Sequence, residues 1–119
     1  MFVVLAGLFL WGLSQDMCAN FPIRSVLSPD RQLRVQVFER DCGATTDVST
    51  QATILDADQP LPNEAGDLFV AATAMRVDVS WVAPDKVIIG HEAGVALRRQ
   101  AQQLRGIDVE YVVEGNGGG

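Results

Sequence analysis

The sequence of 119 residues is poor in the side chains that build metal and redox sites. It has one histidine, His91, and two cysteines, Cys18 and Cys42, whereas a structural metal site normally takes three or four such ligands. It also lacks a C-x-x-C pair, a phosphate-binding glycine loop, a dinucleotide-binding GxGxxG and a G-x-S-x-G nucleophile motif. We therefore expect no metal, no cofactor and no catalytic residue, and we expect the protein not to be an enzyme.

Basic residues are also scarce. Nine basic residues face 15 acidic ones, which gives a net charge of −6, and Lys86 is the one lysine. The arginines are scattered along the chain, so the sequence has no basic stripe. Because nucleic-acid binding depends mainly on neutralising phosphates, we expect no nucleic-acid partner.

Long apolar runs occur only at the N-terminus, where residues 1–13 carry no charged side chain. As a helix they would span about 20 Å, against a hydrocarbon core of about 30 Å. Residues 1–17 are therefore interpreted as a hydrophobic membrane anchor or signal segment, helical and retained as an anchor. No Lys or Arg precedes the run and no A-x-A-like cleavage site follows it, and one explanation is that translation starts upstream of Met1. The alternative is a buried N-terminal helix of a cytosolic protein, but a run without a polar face is hard to bury in so small a domain.

The two cysteines form an obvious pair if this segment places the chain in an oxidising compartment. We predict a disulfide between Cys18 and Cys42, which would contribute about 3 kcal/mol in the chain-entropy picture. The predicted location is the extracytoplasmic side of a membrane, periplasmic or extracellular.

The rest of the chain reads as strands separated by turns. Apolar and polar residues alternate in several short runs, as in a sheet with one wet face. Residues 18–114 are therefore predicted to be one mainly β domain, a small antiparallel sheet, meander or sandwich of about six strands. The residues of the Gly-rich tail, 115–119, are expected to be disordered. The six predicted strands cover residues 33–39, 49–55, 67–72, 76–82, 87–90 and 107–113.

Residues 93–104 are ambiguous. Leu97, Ala101 and Leu104 lie at i, i+4 and i+7, and the segment is rich in Ala, Gln and Arg, which favours one short helix. An edge strand with poor alternation is the competing interpretation.

The acidic segment 56–66 is predicted to be a loop, because it holds two prolines and a glycine. Asp56 and Asp58 have the spacing that opens a calcium loop, but Pro60 stands at the third ligand position. A solvated loop is the better account.

The segment 38–50 combines Cys42 with charged and hydroxyl side chains between two predicted strands. We predict a disulfide-pinned turn in which short polar side chains satisfy backbone groups. If the protein binds a ligand, this turn is the first candidate, with residues Arg40, Asp41, Thr45 and Thr46. A nucleophilic Cys42 with His91 as its base would require a free thiolate.

Several motifs occur together in this chain. They are Asp16-Met17-Cys18, Ser28-Pro29-Asp30, Phe38-Glu39-Arg40-Asp41-Cys42-Gly43-Ala44-Thr45-Thr46, Ser49-Thr50-Gln51, Leu61-Pro62-Asn63-Glu64, Asp67-Leu68-Phe69-Val70, the Val77–Trp81 strand, and Gly106-Ile107 to Tyr111. Together they resemble an uncharacterised bacterial family of small proteins with an N-terminal membrane segment and a β-rich domain. The resemblance covers most of the chain from Asp16. Arg31 stands where the family pattern usually has Gly, and Asp47-Val48 replaces a more usual Gly-Phe. The resemblance implies an anchored or exported protein and implies no activity.

The expected function is that of a non-enzymatic, membrane-anchored or exported β-domain, a binding or envelope-associated module. Its expected partners are the membrane, through the N-terminal segment, and a protein or ligand of unknown identity. The alternative is a small envelope hydrolase that uses carboxylates or Cys42.

Overall fold

A computed structural model describes residues 17–43 and 46–114. Across these residues the chain forms nine strands in two sheets, which confirms a mainly β fold. The predicted N-terminal helix, the Gly-rich tail and Thr45 lie outside the described residues. The strands are β1 (Ala19–Leu27), β2 (Leu33–Asp41), β3 (Ser49–Asp56), β4 (Phe69–Ala71), β5 (Val77–Ala83), β6 (Lys86–Glu92), β7 (Leu97–Gln100), β8 (Gln103–Leu104) and β9 (Ile107–Glu114).

The two sheets differ in strand direction. The first has the order β1-β2-β3-β4-β7, and all its strands pair antiparallel. The second has the order β5-β6-β9-β8, and its central pair, β6 and β9, is parallel. The predicted antiparallel pairing therefore holds for every described strand pair except this one. The chain leaves β6, adds β7 to the other sheet and returns, and such a long crossover allows parallel pairing.

Apolar side chains from both sheets meet in one core, as expected for a sandwich. Alternate residues of β2 and β3 face the alternate residues of β6 and β9 across it. The fully buried members include Val35 and Ala52 of the first sheet and Val87 and Ile89 of the second. The six predicted strands all form, although the one at 67–72 shortens to β4.

The short helix considered for residues 93–104 is wrong, because this segment carries β7 and β8. Leu97 lies opposite Ala71 at the edge of the first sheet, whereas Leu104 lies opposite Ile107 in the second sheet. The two leucines pack against the core from different strands, and Ala101 packs against it from the connection between them. Their i, i+4 and i+7 spacing therefore matches the apolar face of a helix only by coincidence. Most of β7 is exposed, so its alternation carries little signal.

The outer face of the first sheet is covered by residues 57–66, which we call the strap. Val37 points into the core, so Phe38 points to the opposite face, yet Phe38 is 0% exposed. Its cross-strand neighbour Gln51 accepts a hydrogen bond from the Gly66 backbone N–H at 2.7 Å. The predicted acidic loop is thus a cover for an apolar residue as well as a connection.

The turn between β1 and β2 holds Arg31 at a positive φ of 62°. The Asp30 carboxylate organises this turn, accepting hydrogen bonds from the Ser28 hydroxyl and the Gln32 backbone N–H at 2.7 and 3.2 Å. These two bonds, the Ser28 bond first, lower the pKa of Asp30. A left-handed backbone is the conformation that glycine tolerates best, so the turn keeps a glycine-like geometry with an arginine in place.

We expect Arg31→Gly to raise the free energy of unfolding by about 0.5 kcal/mol. Glycine avoids a steric cost of about 1–2 kcal/mol at a left-handed residue, and part of this gain is offset by its greater freedom in the unfolded chain. Urea denaturation measures the change. Arg105→Gly is the matched control, because Arg105 also has a positive φ, 55°, but its side chain pairs with Asp56 at 2.7 Å. A loss of stability in Arg31→Gly would contradict this account.

Tyr111, the single tyrosine, ties the two sheets together from β9. Its hydroxyl donates to the backbone carbonyls of Ala101 and Leu68 at 2.7 and 3.2 Å. Burial raises the pKa of Tyr111 to about 12. The raised value means that the folded state favours the neutral phenol.

Alkaline titration of the tyrosine absorbance should therefore give a pKa of about 12 in the folded protein and about 10 in urea-unfolded protein. The stability that the neutral phenol provides is fully present below the unfolded pKa and is lost as the pH rises through the folded pKa. Ionisation at the same pH in both states would show that the hydroxyl is not held as described.

Candidate functional site

Cys18 and Cys42 form the predicted disulfide, with an S–S distance of 2.02 Å. Cys18 immediately precedes β1 and Cys42 immediately follows β2, and their neighbours Ala19 and Asp41 are paired in register. The bond therefore closes the open end of the β1–β2 hairpin. It also leaves Cys42 without the thiolate that nucleophilic catalysis needs.

His91 lies in the core rather than in a loop. It is 6% exposed, and its ring lies 5.8 Å from Phe69 and 6.3 Å from Tyr111, measured between ring centroids. Its Nδ1 lies 3.0 Å from the backbone carbonyl oxygen of Glu92. The structure therefore assigns His91 a packing role and does not bring it together with the candidate turn.

The turn after β2 is held by its own polar groups. The Asp41 carboxylate accepts a hydrogen bond from the Gly43 N–H at 3.0 Å. The Thr46 backbone N–H and hydroxyl both donate to the Gly43 carbonyl, at 3.2 and 3.3 Å. Gly43 has a φ of 115°, which a residue with a side chain rarely adopts. Asp41 and Thr46 thus shape the turn, as expected for short polar side chains.

Arg40 is fixed in place by neutral partners. Its guanidinium donates to the side-chain oxygens of Asn20 at 2.8 Å and Asn63 at 3.1 Å. Asn63 belongs to the strap, and its amide in turn donates to the Cys18 carbonyl at 3.0 Å. Arg40 therefore links β1, β2, the strap and the disulfide, and its bonds to the described residues involve amide oxygens and no carboxylate.

A groove of about 410 Å³ opens beside this arginine on the outer face of the first sheet. Its floor is rigid, because the Gln51 amide donates to the Ser49 hydroxyl at 3.1 Å and Ser49 donates to the Ala71 carbonyl. The apolar part of the lining comes from Val70, Ala71 and Ala72, together with Cys42 of the disulfide. The polar lining residues are Arg40, Thr46, Asp47, Ser49, Gln51 and Arg98.

Two of the four residues predicted for a binding turn, Arg40 and Thr46, line this groove. Sequence reasoning missed Arg98, which β7 brings to the same groove from a distant part of the chain. The missing signal was the position of β7, since its segment was interpreted as a helix. The groove can bind a ligand by charge and hydrogen bonding, and its side chains include two guanidinium groups and one carboxylate.

The aspartates considered for calcium are arranged differently. Asp56 accepts a hydrogen bond from the Arg105 guanidinium at 2.7 Å. Within residues 17–43 and 46–114, no group of three or more His, Cys, Asp or Glu side chains could hold a metal ion. Asp56 is thus part of an ion pair at the end of β3.

A second polar cluster lies on the outer face of the second sheet. The carboxyl groups of Asp78 on β5 and Glu114 on β9 act on each other, since Arg24 and then the nearby Glu114 lower the pKa of Asp78, and the nearby Asp78 raises the pKa of Glu114. They meet across Gly90 of β6, where an added Cβ would lie 2.4 Å from a Glu114 oxygen. Arg24 and Arg76 pair with Asp78 at 2.9 and 3.3 Å. A glycine inside a predicted strand was the available sequence signal for this close approach.

This pair has the contacts of a structural clamp. The hydrogen bond from Arg24, and then the one from Glu114, lower the pKa of Asp78. The hydrogen bond to Asp78 is the main cause that raises the pKa of Glu114. The interaction couples β5 to β9 across Gly90 of the intervening strand β6.

No family model, no curated protein and no solved structure matches this chain. The family resemblance of the motifs stays a prediction. Among the described residues, no helix is long and apolar enough to cross a membrane.

We expect Asp78→Asn to lower the pKa of Glu114 towards its ordinary value, because the substitution removes the neighbouring negative charge. The contribution of Glu114 to stability is present below its unfolded pKa and is lost as the pH rises through its raised folded pKa. The variant should therefore lose less stability over that interval. Carboxyl carbon NMR measures the pKa. Asp85→Asn, an equal charge change in the β5–β6 turn, is the control, and an unchanged Glu114 pKa in Asp78→Asn would contradict the clamp.

Proposed function

We propose that the protein is a membrane-anchored binding domain on the extracytoplasmic side of a bacterial membrane, and that the groove beside Arg40 takes its ligand. The observation that carries the proposal is the disulfide between Cys18 and Cys42. Disulfides persist in oxidising compartments and are rare in the cytosol. Cys18 follows closely on the apolar run 1–13, whose composition favours membrane insertion.

The position of the groove fits an anchored domain. Cys42 lines it, and the strap residue Asn63 binds both Arg40 and the Cys18 carbonyl. An anchor formed by residues 1–17 would therefore hold the groove at the membrane-proximal end of the domain. A ligand at that place would be a component of the envelope or a protein close to the membrane.

The groove chemistry supports binding rather than catalysis. Cys42 is bonded to Cys18, and His91 is enclosed by the core. The thiol form of a hydrolase needs a free Cys42 with a base in reach, and neither condition holds in this arrangement. The pinned floor and the fixed Arg40 are typical of a preformed binding site, which loses little entropy on ligand capture.

Export and anchoring can be tested together on a tagged full-length chain expressed in a bacterium. We expect the protein in the membrane fraction, accessible to protease from the outer side of the membrane. Non-reducing mass spectrometry should show no alkylated cysteine before reduction and two after it. Two alkylatable thiols without reduction, or recovery in the cytosolic fraction, would overturn the proposal.

The control is the double variant Cys18→Ser with Cys42→Ser. It should still reach the membrane, since the apolar run is unchanged, but its free energy of unfolding should fall by about 3 kcal/mol. Urea denaturation under non-reducing conditions measures this loss.

A further inference from the structure

We propose that the groove binds an oxyanion, a carboxylate or phosphate group of the ligand, through the guanidinium groups of Arg40 and Arg98. This inference rests on the proposed binding function and names the chemical class of the ligand. Both arginines line the same groove, Arg40 from β2 and Arg98 from β7. Guanidinium groups bind carboxylates and phosphates through paired charge-assisted hydrogen bonds.

The arginines of this groove differ from the basic residues that form ion pairs elsewhere in the described chain. The chain has a net charge of −6, so carboxylates outnumber basic groups. Nevertheless, the ion pairs among the described residues leave out both arginines of the groove. These ion pairs are Arg24–Asp78, Arg76–Asp78, Lys86–Glu110 and Arg105–Asp56.

The hydrogen bonds of Arg40 hold its guanidinium in place and leave it able to bind an anion. Its two partners, Asn20 and Asn63, hold the guanidinium with amide oxygens at 2.8 and 3.1 Å. Both contacts use Nη1, so the hydrogen bonds to these amides leave other N–H donors of the five on a guanidinium for a ligand. Because amides orient the group without cancelling its charge, the full charge acts on a bound anion.

Arg98 supplies the second positive charge from β7, the edge strand of the same sheet. Its side chain is exposed, and it forms no ion pair with any described carboxylate. Its neighbour Arg99 donates to the Gly66 carbonyl at 2.9 Å and adds positive charge at the strap. Arg34 likewise donates to the strap carbonyl of Gln59. Arg34 and Arg99 thus bind backbone carbonyls of the strap and form none of the ion pairs among the described residues.

Asp47 allows a second test, in which removing a charge should change the anion affinity in the direction opposite to that expected for the arginines. It is the one carboxylate among the described lining residues, and its charge opposes an anion in the groove. Removing that charge should tighten binding, whereas removing the charge of an arginine should weaken it. If the groove bound a cation, removing the Asp47 charge would weaken binding. If it bound a neutral ligand, the affinity would not change.

The test uses the 15N-labelled full chain, purified in an uncharged detergent, and follows backbone amide shifts. Inorganic phosphate and succinate are titrated separately at constant ionic strength, with glucose as the neutral control. We expect saturable shifts at groove residues such as Thr46, Ser49 and Gln51 with at least one of the two anions. Saturation with phosphate alone identifies a phosphate ligand, and saturation with succinate alone identifies a carboxylate ligand.

Arg98→Gln is the main variant, because no described side chain depends on Arg98. We expect its affinity for the anion to fall about tenfold, as for the loss of one charge-assisted hydrogen-bonding group. Arg31→Gln is the matched control, since it removes the same charge from the exposed β1–β2 turn and should leave the affinity unchanged. Asp47→Asn should raise the affinity several-fold.

Arg40→Gln should also weaken binding about tenfold, and its thermal unfolding is measured beside it because Arg40 also holds the strap. The proposal is overturned if neither anion gives saturable shifts. It is equally overturned if Arg98→Gln and Arg31→Gln weaken binding alike, or if Asp47→Asn fails to strengthen it. The membrane fractionation and the disulfide mapping are separate readouts, so a failure of anion binding is distinguishable from a failure of export.

Discussion

The functional face depends on the hydrogen bonds that Arg40 makes to Asn20 and Asn63. The strap has no regular secondary structure, so its backbone groups must be satisfied by side chains or by water. Asn20 itself donates to the carbonyls of Pro62 and Glu64 at 2.9 and 2.8 Å. These bonds hold the strap over Phe38, which would otherwise expose a large apolar ring. The same bonds fix the wall of the groove, so covering the sheet and shaping the groove have one physical cause.

Much of the fold could be predicted from the sequence because apolar and polar residues alternate in several runs, and in β5 and β9 the burial alternates with them. β1 could not, because its alternation is broken. Ile23 is unpaired at a bulge between Pro22 and Arg24, and Phe21 and Ile23 are 55% and 52% exposed. A proline and a bulge both reduce the ability of an edge strand to pair with another chain. The proline and the bulge that protect this edge also break the alternation of buried and exposed residues, so alternation could not reveal the strand.

The candidate site was predictable only where it is local. Arg40 and Thr46 belong to one continuous motif with Cys42, and the disulfide follows from having two cysteines in an exported chain. Arg98 enters the groove because the chain leaves the second sheet after β6 and β7 pairs with β4 of the first. That exchange between sheets depends on the tertiary fold, and no spacing along the chain encodes it. The pair of Asp78 and Glu114 was hidden for the same reason, since parallel pairing of β6 and β9 brings it together.

The two outer faces of the sandwich use charge in opposite ways. At the second sheet, Asp78 pairs with Arg76 and with Arg24, which reaches it from β1 of the first sheet, and Lys86 pairs with Glu110. Cations and carboxylates therefore meet within the protein there. On the first sheet, the arginines around the strap donate mainly to neutral oxygens. A guanidinium that binds a carbonyl keeps its net charge, and that charge acts on whatever approaches from solvent. Within a chain of net charge −6, Arg40 and Arg98 therefore present their charges in the groove, where Asp47 is the one carboxylate among the described lining residues. The carbonyl and amide oxygens around the strap need hydrogen-bond donors, which arginines supply and carboxylates do not.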